Sequence, residues 1–274
     1  LFFAILLGLF FYGVDNTSEG VQDRSGCLFM IVTGNFMTSA MVGLASFPPE
    51  RAVFLMEQSS ENYSAWTYSL AKTVAELPFQ FVFPIVSICI TYFMVGFVST
   101  AEAFFKMMLM MILIGNHGYS FGLMAASVFP SAEVSMALVP LVMLPLSIVA
   151  GLFANTDRLD PYWTWLMYIS FPRYAYMGLF LGEFEALHTL CAADDSSCSY
   201  KTGEDVNVYN GFTEMSWGTC IYAMAIYIVG MKVIAAFSLW YQGRKKRGNL
   251  SFHKNLEERQ MHQLRPPVEQ RTAW

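Results

Sequence analysis

The sequence predicts an all-α fold, a polytopic bundle of six membrane spans whose first span is truncated, with a large extracellular loop between spans five and six. Two observations carry that prediction. Charged residues make up only 14 % of the 274, against about 25 % in an ordinary soluble domain, while hydrophobic residues reach 55 % and aromatics 16 %. The charges are also clustered, so that long stretches carry none. At these lengths only helices satisfy their own backbone hydrogen bonds in lipid, which makes the spans helical. Sixteen basic against 21 acidic residues, a net charge of −5, exclude a basic nucleic-acid binder, and the apolar content excludes a disordered chain.

Charges serve as fences for the spans. Residues 1–14 are apolar but fall short of the ~20 residues that cross about 30 Å of hydrocarbon. With neither an initiator Met nor a basic start they do not read as a secretory signal, so they are taken as a truncated first span and the chain as a fragment. Spans are expected near 25–47, 72–97, 103–128, 134–155 and 217–242, the last interrupted by Lys232, which either reaches an interface or faces the bundle. Arg244, Lys245, Lys246 and Arg247 after the last span mark the cytoplasmic side. Loop 48–71 is then cytoplasmic, and 155–216, with nine acidic and three basic residues, is extracellular. The tail 243–274 is basic, cytoplasmic and suited to lipid headgroups.

Cys27, Cys89 and Cys220 fall in or beside spans and read as small apolar fillers. Cys191 and Cys198 lie in the outer loop, where a disulfide between them, or to a second subunit, is expected in preference to metal binding. Asn16, in Asn16-Thr17-Ser18, is the sequon on the outer side and the expected glycosylation site.

Catalytic machinery is not read in this chain. It contains no Gly-x-x-x-x-Gly-Lys-Ser/Thr phosphate loop, no His-Glu-x-x-His and no Gly-x-Ser-x-Gly. No catalytic, cofactor-binding or metal-binding residue is assigned. Asn116-His117 reads as a polar pair hydrogen-bonded to another helix rather than a proton relay, and Met107, Met108, Met110 and Met111 as a packing stripe. Lys72 and Glu76, four apart, are a candidate pair at the start of the third span.

The stretch Phe47-Pro48-Pro49-Glu50-Arg51-Ala52-Val53-Phe54, continuing to Ala71-Lys72-Thr73-Val74-Ala75-Glu76-Leu77-Pro78, closely resembles the loop and third span of subfamily G ATP-binding cassette transporters, the White and multidrug-resistance half-transporter type. Asp23-Arg24-Ser25-Gly26, Ser147-Ile148-Val149-Ala150-Gly151-Leu152-Phe153, Ser170-Phe171-Pro172-Arg173-Tyr174, Gly182-Glu183-Phe184 and Thr202-Gly203-Glu204-Asp205 extend the resemblance in order and spacing over about residues 1–242.

The resemblance implies an ABC-2 type transmembrane domain over 1–242 that exports lipid-like or amphipathic small molecules by alternating access across a dimer interface. Its partners would be a second half-transporter, identical or different, a nucleotide-binding domain and the bilayer. ATP and Mg would act through that nucleotide-binding domain. It places the substrate pocket at Thr33, Gly34, Met37, Pro140, Leu144 and Ser147, an apolar valve at Leu152 and Phe153, and the coupling loop at Glu50, Arg51, Phe54 and Glu57. Gly34 and Met37 depart from relatives that carry an amide and an aromatic there. The expected membrane is the plasma membrane, with an internal vesicle as the alternative. A different reading makes the chain an ATPase-less partner or regulator of an intact half-transporter.

Overall fold

The computed structural model describes residues 1–15, 17–59, 64–129, 131–152, 161–187, 202–212 and 215–264. Every regular element among them is helical. In chain order these are α1 (Phe2–Phe10), α2 (Ser18–Ser46), α3 (Pro48–Ser59), α4 (Ala65–Val95), α5 (Ala101–Val128) and α6 (Ala132–Ile148). After a 3-10 turn at Pro161–Trp163 follow α7 (Thr164–Ile169), α8 (Phe171–Phe184), α9 (Gly203–Tyr209) and α10 (Trp217–Leu264).

The long helices start where a hydroxyl side chain takes up an orphan N–H. Thr17 caps α2 by accepting from Gly20 N at 3.1 Å, Ser64 caps α4, Thr100 caps α5 and Ser131 caps α6. Helix α4 runs unbroken through Pro78 and Pro84 and ends at Gly96, whose φ of 78° only glycine adopts without strain.

Four helical stretches are long and apolar enough to cross a membrane: Gly20–Arg51, Ala65–Val95, Ala101–Val128 and Trp217–Lys245. Helix α6, with 17 residues, and α1, with 9, are shorter, so the structure supports four of the six expected spans by length. Two boundaries differ from expectation. The third span begins at Ala65 rather than 72, because Ser64 caps it there. The fifth stops at Ile148 rather than 155, because the chain turns at Val149–Gly151, where Gly151 has a φ of 109° and packs under the Phe212 ring.

Helix α5 is the axis of the bundle, packed against α2, α10, α4 and α8. Its contact with α2 is backbone to backbone. A Cβ at Gly122 would stand 2.1 Å from the Ala40 carbonyl oxygen, and one at Gly118 2.6 Å from that of Phe36. Small residues at four-residue spacing give this closeness, the way membrane helices gain packing without a hydrophobic drive between them. The four methionines sort as a packing stripe: Met107, Met110 and Met111 are buried and Met108 packs against the core.

Helix α8 was not expected from the sequence, which read 155–216 as a loop. All fourteen of its residues are buried. Its first residue, Phe171, lies 4.5 Å ring to ring from Phe36 and 4.4 Å from His117, in the interior of α2 and α5. The helix rises from there to Glu183 beside Arg24 near the start of α2.

Candidate functional site

Two polar knots hold the bundle, one at each end of α2. The first is built on α3. Glu50 accepts from Lys72 Nζ at 2.8 Å and Tyr68 Oη at 2.5 Å, which fixes α3 to α4. Arg51 donates to the Phe129 carbonyl at 3.0 Å, in the turn between α5 and α6, and to Gln242 Oε1 on α10 at 2.7 Å. Gln242 also donates to the Ser127 carbonyl, and Ser238 Oγ donates to the same oxygen at 3.0 Å. Phe54 is buried against the Tyr68 ring, with centroids 4.5 Å apart, and Glu57 is half-buried. Residues Glu50, Arg51 and Phe54 therefore tie one short helix to α4, α5 and α10. Lys72 pairs with Glu50 and not, as its spacing suggested, with Glu76, because α3 folds back and delivers a carboxylate from 22 residues away.

The second knot was not singled out as functional by the sequence, where Arg24 and Glu183 stood only within stretches that extend the resemblance. Arg24 Nη1 donates to Glu183 Oε1 at 2.6 Å, and Nη2 donates to the carbonyls of Val14 and Gly96, each at 3.2 Å. Val98 N donates to both Glu183 oxygens, at 3.0 and 3.2 Å. Both side chains are essentially without exposure, at 3 % and 0 %. The pair ties the α1–α2 connection, the end of α4 and the end of α8. Burial pushes the Glu183 carboxyl above the usual carboxylate range, while Arg24 and the Val98 N–H pull it back. The available signal was a pair of opposite charges, in Asp23-Arg24-Ser25-Gly26 and Gly182-Glu183-Phe184, each beside an apolar run.

Between the knots, Lys232 faces the bundle rather than an interface: its amine donates to Asn116 Oδ1 at 3.2 Å. His117 beside it is fully buried among the rings of Phe36, Phe171 and Tyr227, so it packs as an aromatic and has no hydrogen-bond partner among the described residues.

The pocket candidates divide between α2 and α6, which pack against each other. Thr33 is half-buried with its hydroxyl donating to the Phe29 carbonyl, Gly34 lies under the Phe3 ring of α1, and Met37 packs against the core. On α6, Pro140 is half-buried, Leu144 is 67 % exposed, and Ser147 is buried with its hydroxyl on the Met143 carbonyl. Leu152 is half-buried against the core. Phe153, Cys191, Cys198 and Asn16 lie outside the described residues. Cys27 and Cys220 are buried free thiols and Cys89 is a half-buried one, the apolar-filler role expected of them.

Residues 1–184 match the ABC-2 type transporter family. The chain belongs to that family. Within it the similarity is to subfamily G. The chain is 28 % identical over 246 residues to Protein white of Ceratitis capitata, covering 89 % of this chain and 36 % of that protein. It is 30 % identical over 246 residues to Protein white of Drosophila melanogaster, with the same shares. Against the broad substrate specificity ATP-binding cassette transporter ABCG2 of Bos taurus it is 30 % identical over 224 residues, 80 % of this chain and 34 % of that one. The chain thus spans about a third of the length of the curated relatives it matches. This ABC-2 type domain is a membrane component of a transporter, and its apolar helices make it an integral membrane protein.

Proposed function

We propose that this chain forms the membrane half of an ATP-driven exporter of lipid-like or amphipathic small molecules, paired with a second half-transporter, identical or different, and working by alternating access. The observation that carries the proposal is α3. A short helix bonded at once to α4, the α5–α6 turn and α10 is a stiff handle on three long helices, the geometry a power stroke needs if it is to be felt in the membrane. Nucleotide chemistry would be supplied by a nucleotide-binding domain using Mg-ATP, since these 274 residues contain no phosphate loop.

The path would lie between two copies of the α2–α6 face, lined by Thr33, Gly34, Met37, Pro140, Leu144 and Ser147 and closed by Leu152 and Phe153. Its composition, apolar with two hydroxyls, suits cargo held by contact area rather than by ion pairs. The broad substrate specificity named for ABCG2 agrees with such a site. The plasma membrane is the proposed location.

Glu57→Ala, on α3, tests the reading in the protein joined to or supplied with its nucleotide-binding domain, reconstituted in vesicles. ATP hydrolysis is expected to continue while cargo moved per ATP falls severalfold. An unchanged ratio would remove α3 from the coupling path.

A further inference from the structure

Between Met215 and Leu256 the sequence has no acidic residue, and four of its cations are contiguous: Arg244, Lys245, Lys246 and Arg247. They fall where the apolar part of α10, Trp217–Lys245, ends. Just before them stand Trp240 and Tyr241, the amphipathic ring types that settle at headgroup depth. The Arg244 guanidinium lies 5.3 Å over the Trp240 ring. Arg244 and Lys245 are exposed, and among the described residues neither is paired with a carboxylate.

This basic stretch is mechanically continuous with α3. Helix α10 runs unbroken to Leu264, so the cations sit on the same rod as Gln242, which receives Arg51. The next residue, Gly243, admits the Gln58 side chain of α3 so closely that a Cβ there would stand 1.9 Å from Gln58 Oε1. Two successive residues of α10 are thus engaged by α3 immediately before the four cations.

We propose that the 244–247 segment binds anionic phospholipid headgroups at the membrane surface and that the Arg51–Gln242 contact relays this binding to α3. Charge complementarity selects the occupant: four successive cations in a stretch of sequence without acids, at the end of a membrane helix, meet the anionic leaflet first. Each cation near such a surface strengthens binding about fivefold. Lipid composition would then set how firmly α3 is held. The inference rests on the coupling reading of α3 for its consequence, but its test uses neither nucleotide nor cargo, so the two fail separately.

The full chain is placed in nanodiscs of phosphatidylcholine, alone or mixed with phosphatidylserine, and amide hydrogen exchange is followed in α3 and in 243–264. Phosphatidylserine is expected to slow exchange severalfold in both segments. High salt should abolish the effect by screening, without any mutation. Arg244→Gln with Lys245→Gln should weaken the interaction with phosphatidylserine about twenty-five-fold. Gln242→Ala should keep the protection of 243–264 and lose that of α3. Equal exchange in the two nanodiscs, an effect that survives salt, or α3 protection that persists in Gln242→Ala each overturns the proposal. So would the same protection from inorganic phosphate in phosphatidylcholine alone, which would place a free anion there instead of a lipid.

Discussion

At the scale of single residues, the most consequential contact is the buried Arg24–Glu183 pair. Two charges taken out of water are held by their mutual attraction and by the Val14, Gly96 and Val98 backbone groups around them. Arg24→Gln leaves Glu183 without its counter-charge and is expected to cost up to about 3–5 kcal/mol at alkaline pH, where the carboxyl is ionised. The pH dependence has a definite sign. Burial raises the folded-state pKa of Glu183 above its unfolded value, so protons favour the folded state and stability falls as pH climbs from the unfolded to the folded value. Without Arg24 the folded-state value rises further, so the decline steepens, by up to about 1.4 kcal/mol per pH unit, and extends to higher pH. Thermal melts of Arg24→Gln in detergent should therefore recover on acidification from pH 8 to pH 5. A deficit of the same size at both pH values would show that Glu183 does not carry it.

Elements were legible in proportion to how local their causes are. The α2, α4 and α5 spans followed from runs without charge and α10 from a run broken only by Lys232, whereas 48–71 was read as a loop and not as the helix α3. Helix α8 was not legible, because residues 171–184 hold Arg173, Glu183 and a loop-like neighbourhood, and nothing local says that both charges find buried places. The α3 knot was half legible. Glu50, Arg51 and Phe54 were marked, but their partners Lys72, Phe129 and Gln242 come from three other helices, and i, i+4 spacing pointed Lys72 to the wrong carboxylate. The pocket and valve positions came from resemblance alone, since apolar residues with a few hydroxyls look the same in a cavity and in a packed seam. The α2–α5 seam makes its own prediction. Gly122→Leu forces a side chain into the Ala40 backbone and should destabilise by about 3 kcal/mol or more. Gly230→Leu on α10, with nothing within 4 Å of its Cβ, is the matched control and should be neutral. Equal melting temperatures for the two variants would refute close packing at Gly122.

Over the whole molecule, one end is pinned by a buried ion pair, while at the other α3 is tied to α4, α5 and α10. Between them α6 presents an exposed apolar row, Val134, Ala137, Leu141, Leu144 and Ile148, opposite the buried Ser135, Val139, Met143 and Leu146. The proposed pairing of two half-transporters would cover that row. Leu144→Cys should then give an oxidant-dependent dimer on a denaturing gel. Val229→Cys, equally exposed on α10, should not. Equal cross-linking at both positions, or none at Leu144→Cys, would argue against α6 as the dimer face.

The buried course of α8 also makes it a measure of completeness. Its slot is walled by α2, α5 and α6, which precede it in the chain, and by α9 and α10, which follow. Its burial is therefore complete only once the last helix is in place, and a chain cut short before α10 would leave the side of α8 that faces it uncovered.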